Sequence, residues 1–80
     1  SLMSYIRTVL TMKDYRLFME MEGGSTVIVD LSGKLQTAKY AELADEAFFR
    51  TAVTDGDYVL WGNGRVRLTV GELMDVILLG

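Results

Sequence analysis

"VLWGNGRVRL", residues 59–68, sets the single tryptophan of the chain beside Gly62, Asn63 and Gly64, with two arginines following. Asn-Gly between alternating apolar residues is the strongest short-range hairpin signal, because both central residues of a type I′ turn take φ > 0, which asparagine and glycine tolerate. With Asn63-Gly64 as the loop, Trp61 faces Val66 and Val59 faces Leu68, making one wholly apolar face; Tyr58, Leu60 and Arg67 fall on the other. This register points the indole into a core. The rival reading makes Trp61 a stacking platform and the glycines a phosphate cradle. A dinucleotide fingerprint, however, runs strand, glycine turn, helix, and here a strand follows the glycines.

The same two-residue period appears upstream. In "DYRLFMEME" (14–22), Tyr15, Leu17, Met19 and Met21 point one way and Arg16, Glu20 and Glu22 the other, with Phe18 the exception. "TVIVDL" (26–31) is β-branched and aliphatic, and Gly23-Gly24 separates the two runs, so they predict a hairpin. A two-residue Gly23-Gly24 loop would set Met19 opposite Ile28 and Leu17 opposite Asp30. A three-residue loop, Gly23 to Ser25, aligns Tyr15, Leu17, Met19 and Met21 with Val27, Val29 and Leu31 on one face, and this is the register expected. Residues 5–12, "YIRTVLTM", add a first strand, joined through a turn at Lys13-Asp14.

From Lys39 the period changes. Tyr40, Leu43, Ala44, Ala47 and Phe48 fall at helical spacing, which predicts one amphipathic helix or two short ones broken near Asp45; Phe49, off the stripe, fits a break that re-aims the second turn. "TAV", a turn at Asp55-Gly56 and "YVLW" lead into the Asn-Gly hairpin. In "TVGE" (69–72), Thr69 and Glu72 have capping-box spacing. Val70, Leu73, Met74, Ile77 and Leu78 then form a helical stripe that Gly80 can close. Val76 and Leu79 lie outside this stripe, so a sheet edge, a second copy or a partner is expected to cover them. The order β-β-β-α-β-β-β-α predicts a small two-layer α+β domain, mostly antiparallel hairpins, with a central helix and a short C-terminal helix.

Eighty residues, half of them apolar, make one domain with a core, expected over residues 3–80; Ser1 and Leu2, ahead of Met3, read as an expression remnant. The chain has no cysteine and no histidine, so neither a disulfide nor a Cys/His zinc site can support so small a core. Eleven acidic residues against eight dispersed basic ones give a net charge of -3. That disfavours direct nucleic-acid binding and suits a basic partner. The first residues lack the pattern of a secretory signal, and no apolar run approaches the ~20 residues needed to cross a bilayer, so no membrane role is expected and the cytoplasm is the expected compartment.

Chemistry-bearing side chains are sparse. Ser-His-Asp and Cys-His arrangements are impossible within this chain. Asp55 and Asp57 flank a glycine, but lack calcium-loop spacing, and a solvated turn is the simpler reading. Glu20 and Glu22 share one side of a strand with nothing nearby to raise a pKa. Asp30 ends a strand before "SGK", where its carboxylate can accept N–H groups of the turn or act as an interaction residue at the sheet edge. Arg65 and Arg67 read as an exposed pair. No catalytic, cofactor-binding or metal residue is assigned. The interaction candidates are Asp30, Trp61, Asn63, Val76 and Leu79.

"DYRL" (14–17), "GG" (23–24), "DLS" (30–32), "YAELAD" (40–45) with Phe49, "WGNG" (61–64) and "GEL" (71–73) occur in the order and spacing of a bacterial family of small domains. Over about residues 6–78 the chain resembles this family, known as domain of unknown function 2442. Two departures stand out: Gly62 where the family usually has proline, and Val66 and Arg67 where it has an aspartate beyond Asn-Gly. The resemblance implies an α+β domain of unassigned activity, sometimes joined to a helix-turn-helix segment or encoded beside a small partner in regulatory or toxin-antitoxin-type pairing. The expected function is a non-catalytic interaction or regulatory module, a homo-oligomer or the binder of a small basic protein. The alternative is a small-molecule-binding domain with Trp61, Tyr58 and Asn63 lining a cleft. A third, a carboxylate-based hydrolase, would need Glu20 or Glu22 in a concave pocket.

Overall fold

The structure, a computed structural model, describes residues 5–79. The expectations for Ser1, Leu2, Met3 and Gly80 lie outside the described residues. Three strands, β1 (Ile6–Met12), β2 (Arg16–Met21) and β3 (Thr26–Asp30), form an antiparallel sheet in the order β1-β2-β3. A connection with 3-10 turns at Ser32–Lys34 and Ala38–Ala44 leads to one α-turn, α1 (Glu46–Phe49). A second antiparallel sheet follows, β4 (Val53–Thr54), β5 (Tyr58–Trp61) and β6 (Val66–Thr69), and then α2 (Val70–Leu79). The α+β class and element order agree with the sequence reading, but the strands make two three-stranded sheets. They meet where Ile6 N–H donates to the Gly56 carbonyl (2.7 Å), beside a bulge at Arg7 that shifts the β1 register between Ile6 and Thr8. Among the described residues no helix is long and apolar enough to cross a membrane.

The Asn-Gly hairpin has the expected register, Trp61 opposite Val66 and Val59 opposite Leu68. Its turn goes further into the left-handed region than a type I′ pair requires: Gly62 (φ 59°), Asn63 (φ 59°) and Gly64 (φ 88°) are consecutive. A side chain on Gly62 would also collide with Phe48, a Cβ there lying 2.4 Å from Cε1.

The β2–β3 hairpin keeps the expected buried faces but not the expected pairs. Leu17 lies opposite Val29 and Met19 opposite Val27, because the three-residue loop is Glu22 to Gly24, closed by Met21 N–H to the Ser25 carbonyl (2.8 Å). The cause is backbone conformation: Gly24 takes φ 94°, whereas a loop over 23–25 would ask Ser25 for the left-handed position. The strand expected from Asp14 starts at Arg16. Asp14 (φ 63°) and Tyr15 (φ 62°) instead turn the chain.

The central helix is two pieces, as the break near Asp45 allows. Asp45 is extended (φ -72°, ψ 113°) and caps α1, its Oδ1 accepting from Ala47 N–H (3.0 Å) and Phe48 N–H (3.3 Å). Re-aimed by this cap, Phe49 is buried. Its ring meets Tyr15 edge-on (centroids 5.3 Å apart) and Trp61 at a tilt (6.3 Å), while Trp61 Nε1–H donates to the Phe49 carbonyl (3.0 Å). Leu17, Met19, Val29, Leu31 and Leu43 from one side, and Val59, Leu68 and Leu73 from the other, complete a core without a buried polar or charged residue among those described.

α2 departs from its expected stripe. Val70, Leu73 and Val76 are buried, and Ile77 and Leu78 are exposed. The contact with β3 and β6 follows an i, i+3, i+6 row, inclined to the helix axis, so the C-terminal end carries its remaining apolar residues past the core. Of the covers expected for Val76, a sheet edge, a second copy or a partner, this chain's own sheet is the one present; Leu79 stays exposed.

Two stability predictions follow from these contacts. Gly62→Ala should cost about 1–3 kcal/mol in urea unfolding, from left-handed backbone and the clash with Phe48, whereas Gly23→Ala, with open space at its Cβ, should be near neutral. Trp61→Phe should cost about 2 kcal/mol, because it removes buried contacts and leaves the Phe49 carbonyl with only the longer Ala52 N–H bond (3.4 Å).

Candidate functional site

Alternation along β1, β2 and β3 sends Leu17, Met19 and Val29 inward, and so sends Thr8, Leu10, Met12, Arg16, Phe18, Glu20, Thr26, Ile28 and Asp30 to the opposite face. Register then groups them into cross-strand rows. Leu10 pairs with Phe18 and Phe18 with Ile28, an apolar row spanning all three strands; Thr8-Glu20-Thr26 and Met12-Arg16-Asp30 lie on either side. Leu10 is 57% exposed and Ile28 52%, with Phe18 half-buried between them. The end of α2 adds Leu78 (77%) and Leu79 (80%). An open groove of about 440 Å³ joins the two regions, bounded by Ile28, Asp30, Ser32 and Gly33 on the sheet side and by Val76 and Ile77 on the helix side.

The five sequence candidates divide. Asp30 borders this groove, and its Oδ1 accepts from Ser32 N–H (2.9 Å) and Ser32 Oγ–H (2.6 Å). The Ser32 hydroxyl and amide hold the carboxyl below the usual carboxylate range. Leu79 is fully at the surface. Val76 lines the groove from beneath but belongs to the core. Trp61 has no exposed surface, so its ring presents no face on which a ligand could stack, and Asn63 sits exposed at the hairpin tip. Trp61 and Asn63 are therefore not brought together with the other three.

What sequence reasoning missed is the Leu10-Phe18-Ile28 row. Its signal was Phe18, the residue that broke the alternation of β2, but a row emerges only when the pairings of both hairpins are fixed.

Many of the charged side chains are occupied with local structure. Asp55 accepts from Tyr58 N–H (2.9 Å) and Asp57 N–H (3.0 Å), which lowers its pKa. Glu20 pairs with Arg7 (3.8 Å). Arg65 pairs with Glu42 and stands 5.0 Å over the Phe48 ring; Arg67 stands 5.5 Å over Tyr58. Among the described residues no three metal-ligating side chains gather. The capping box is formed in full: Glu72 N–H donates to Thr69 Oγ1 (3.0 Å) and Thr69 N–H to Glu72 Oε1 (2.8 Å). Lys39 reaches the other carboxylate oxygen of Glu72, which lowers the Glu72 pKa and raises that of Lys39.

No family model matches the chain, and neither a curated protein nor a solved structure does.

The capping box carries a pH dependence. Because Glu72 titrates lower when folded, its contribution is complete above the unfolded carboxylate value and is lost as pH falls through the folded one. The stability advantage of the wild type over Glu72→Gln should therefore be largest at neutral pH and shrink in acid, measured by urea unfolding across that range. Thr69→Ala should cost about 1 kcal/mol at neutral pH by the same measurement.

Proposed function

We propose that this domain is a non-catalytic interaction module that works through the outer face of the β1-β2-β3 sheet and the end of α2. The observation that carries this reading is the continuity of the exposed apolar surface: Leu10, Phe18 and Ile28 form one row, and Ile28 and Ile77 border the same groove. Scattered apolar residues on a surface are ordinary, but a joined set rimmed by polar side chains marks a contact site. Here the rim is Arg16, Glu20, Asp30 and the threonines at 8 and 26.

The partner in this reading is a small protein, a second copy or a basic chain attracted by the net charge of -3, in the cytoplasm. Nucleic acid does not fit, since four of the described arginines, 7, 16, 50 and 65, stand beside carboxylates. The family resemblance adds regulatory or toxin-antitoxin-type pairing as the setting. It does so with a local difference, for Gly62 holds φ 59°, a conformation closed to the proline usual there.

The test is the double variant Leu78→Glu/Leu79→Glu, at two sites exposed enough for the fold to be kept. Wild type at micromolar concentration should self-associate, or retain a specific protein on purification from its own cells, and the variant should lose that association while its circular dichroism is unchanged. A folded wild type that is monomeric and retains the same proteins as the variant overturns the reading.

A further inference from the structure

Each sheet edge in this fold is handled differently. The outer edge of β1 is met by the Gly56 carbonyl, β4 is two residues long, and β6 carries exposed Arg65 and Arg67 at and beside its start. Covering, shortening and charging are the ordinary ways of keeping an edge from pairing. The edge of β3 is less guarded: its one charged side chain, Asp30, stands at the strand end, and α2 borders it across an open groove. Its sequence, "TVIVD", holds no lysine, arginine, proline or glycine, and its strand is five residues long.

The direction of its backbone groups follows from the hairpin. Leu31 N–H donates to the Tyr15 carbonyl (2.9 Å) and Met21 N–H to the Ser25 carbonyl (2.8 Å), so the odd-numbered residues of β3 exchange hydrogen bonds with β2. The N–H and C=O groups of Thr26, Ile28 and Asp30 point the other way, away from β2, and Ile28 and Asp30 border the groove whose far wall is Val76 and Ile77. Among the described residues no backbone group bonds to them.

We propose that two copies of this chain associate through their β3 edges, antiparallel about a twofold axis at Ile28, making one six-stranded sheet. This inference rests on the interaction-module reading and names its partner. A strand that pairs with its own copy must be self-complementary about its centre, and β3 is. Ile28 meets the partner's Ile28, and Thr26 meets the partner's Asp30, a hydroxyl donor opposite a carboxylate acceptor, at both ends. The three outward-facing residues of each copy are then all paired. The row Leu10-Phe18-Ile28 continues into its own mirror across the axis, so the exposed apolar row of each copy becomes half of a continuous one. No like charges meet directly.

Area decides that the helix end belongs to the same interface. A standard interface takes about 800 Å² from each partner, about one-sixth of this chain's accessible surface of 4942 Å². A five-residue strand edge alone does not supply that. Ile77, on the far wall of the groove, and the exposed Leu78 that follows it supply the remainder by packing over the incoming strand.

Sedimentation equilibrium with three single variants tests the proposal. Wild type should have the mass of a dimer at micromolar concentration. Opposed residues of a hydrogen-bonded antiparallel pair lie about 5.5 Å apart at Cα, within disulfide reach, and the chain has no cysteine of its own. Ile28→Cys should therefore oxidise to a covalent dimer, whereas Leu10→Cys, equally exposed but off the axis, should not. Ile28→Lys, which puts two ammonium groups side by side, should weaken association roughly tenfold or more with an unchanged circular dichroism spectrum. A dimer that ignores both substitutions at 28 overturns the β3 pairing and leaves the interaction-module reading standing. A monomer that binds a different protein through Leu78 and Leu79 does the same. A folded monomer with no partner overturns both.

Discussion

The hydrogen bond from Trp61 Nε1–H to the Phe49 carbonyl (3.0 Å) is the constraint on which the rest of this small fold depends. Indole is the largest side chain available to fill a core, and burying it leaves one donor to satisfy. The acceptor lies at the end of α1, where a single helical turn has carbonyls without intrahelical partners. One contact thus settles two polar groups and ties the second hairpin to the connection between the sheets. With no disulfide to cross-link the chain, a net gain of about 1 kcal/mol from such a bond is a sizeable fraction of what an 80-residue domain retains.

The same centre accounts for the strained turn between β1 and β2. Asp14 and Tyr15 are both left-handed, at about 1–2 kcal/mol each for residues with a Cβ. In that conformation Tyr15 leaves the strand path, packs its ring edge-on to Phe49, and donates its hydroxyl to the Ala44 carbonyl (2.7 Å), just before the Asp45 cap. The strain of the turn is offset by the contact it makes possible. Tyr15, Phe49 and Trp61 therefore form a chain of rings running from the first sheet, through the connection, to the second.

Features set by nearest neighbours were legible in the sequence. The Asn-Gly hairpin register, the Thr69-Glu72 capping box and the break at Asp45 each depend on a few residues whose side chains act on their own backbone. What escaped was set by geometry between elements. The β2–β3 pairs were displaced because the left-handed position of the loop falls to Gly24, although the buried faces survived, since a shift of two in the sum of paired residue numbers preserves parity. The α2 stripe was misread because helical periodicity gives the apolar arc but not the angle at which the helix crosses a sheet; that angle buried Val76 and freed Ile77 and Leu78. Of the interaction candidates, Asp30, Val76 and Leu79 lie around one end of the molecule. Trp61, kept among the interaction candidates, is the core anchor that the Asn-Gly hairpin register pointed to.

The proposed self-pairing of an acidic chain meets an objection, for two bodies of charge -3 repel. The distribution of charge removes most of it. On the outer face Arg16 is the β2 neighbour of Asp30, and Arg7 stands 3.8 Å from Glu20, so the surface that would meet its copy is close to neutral although the chain is not. Other carboxylates, Asp55 and Asp57, lie in the turn before β5, beyond the strands of the first sheet. Charges separated by more than a Debye length of about 8 Å at physiological ionic strength are largely screened. In the proposed pairing the net charge opposes non-specific clustering in solution, while the locally balanced, apolar edge of β3 leaves two copies a place to approach.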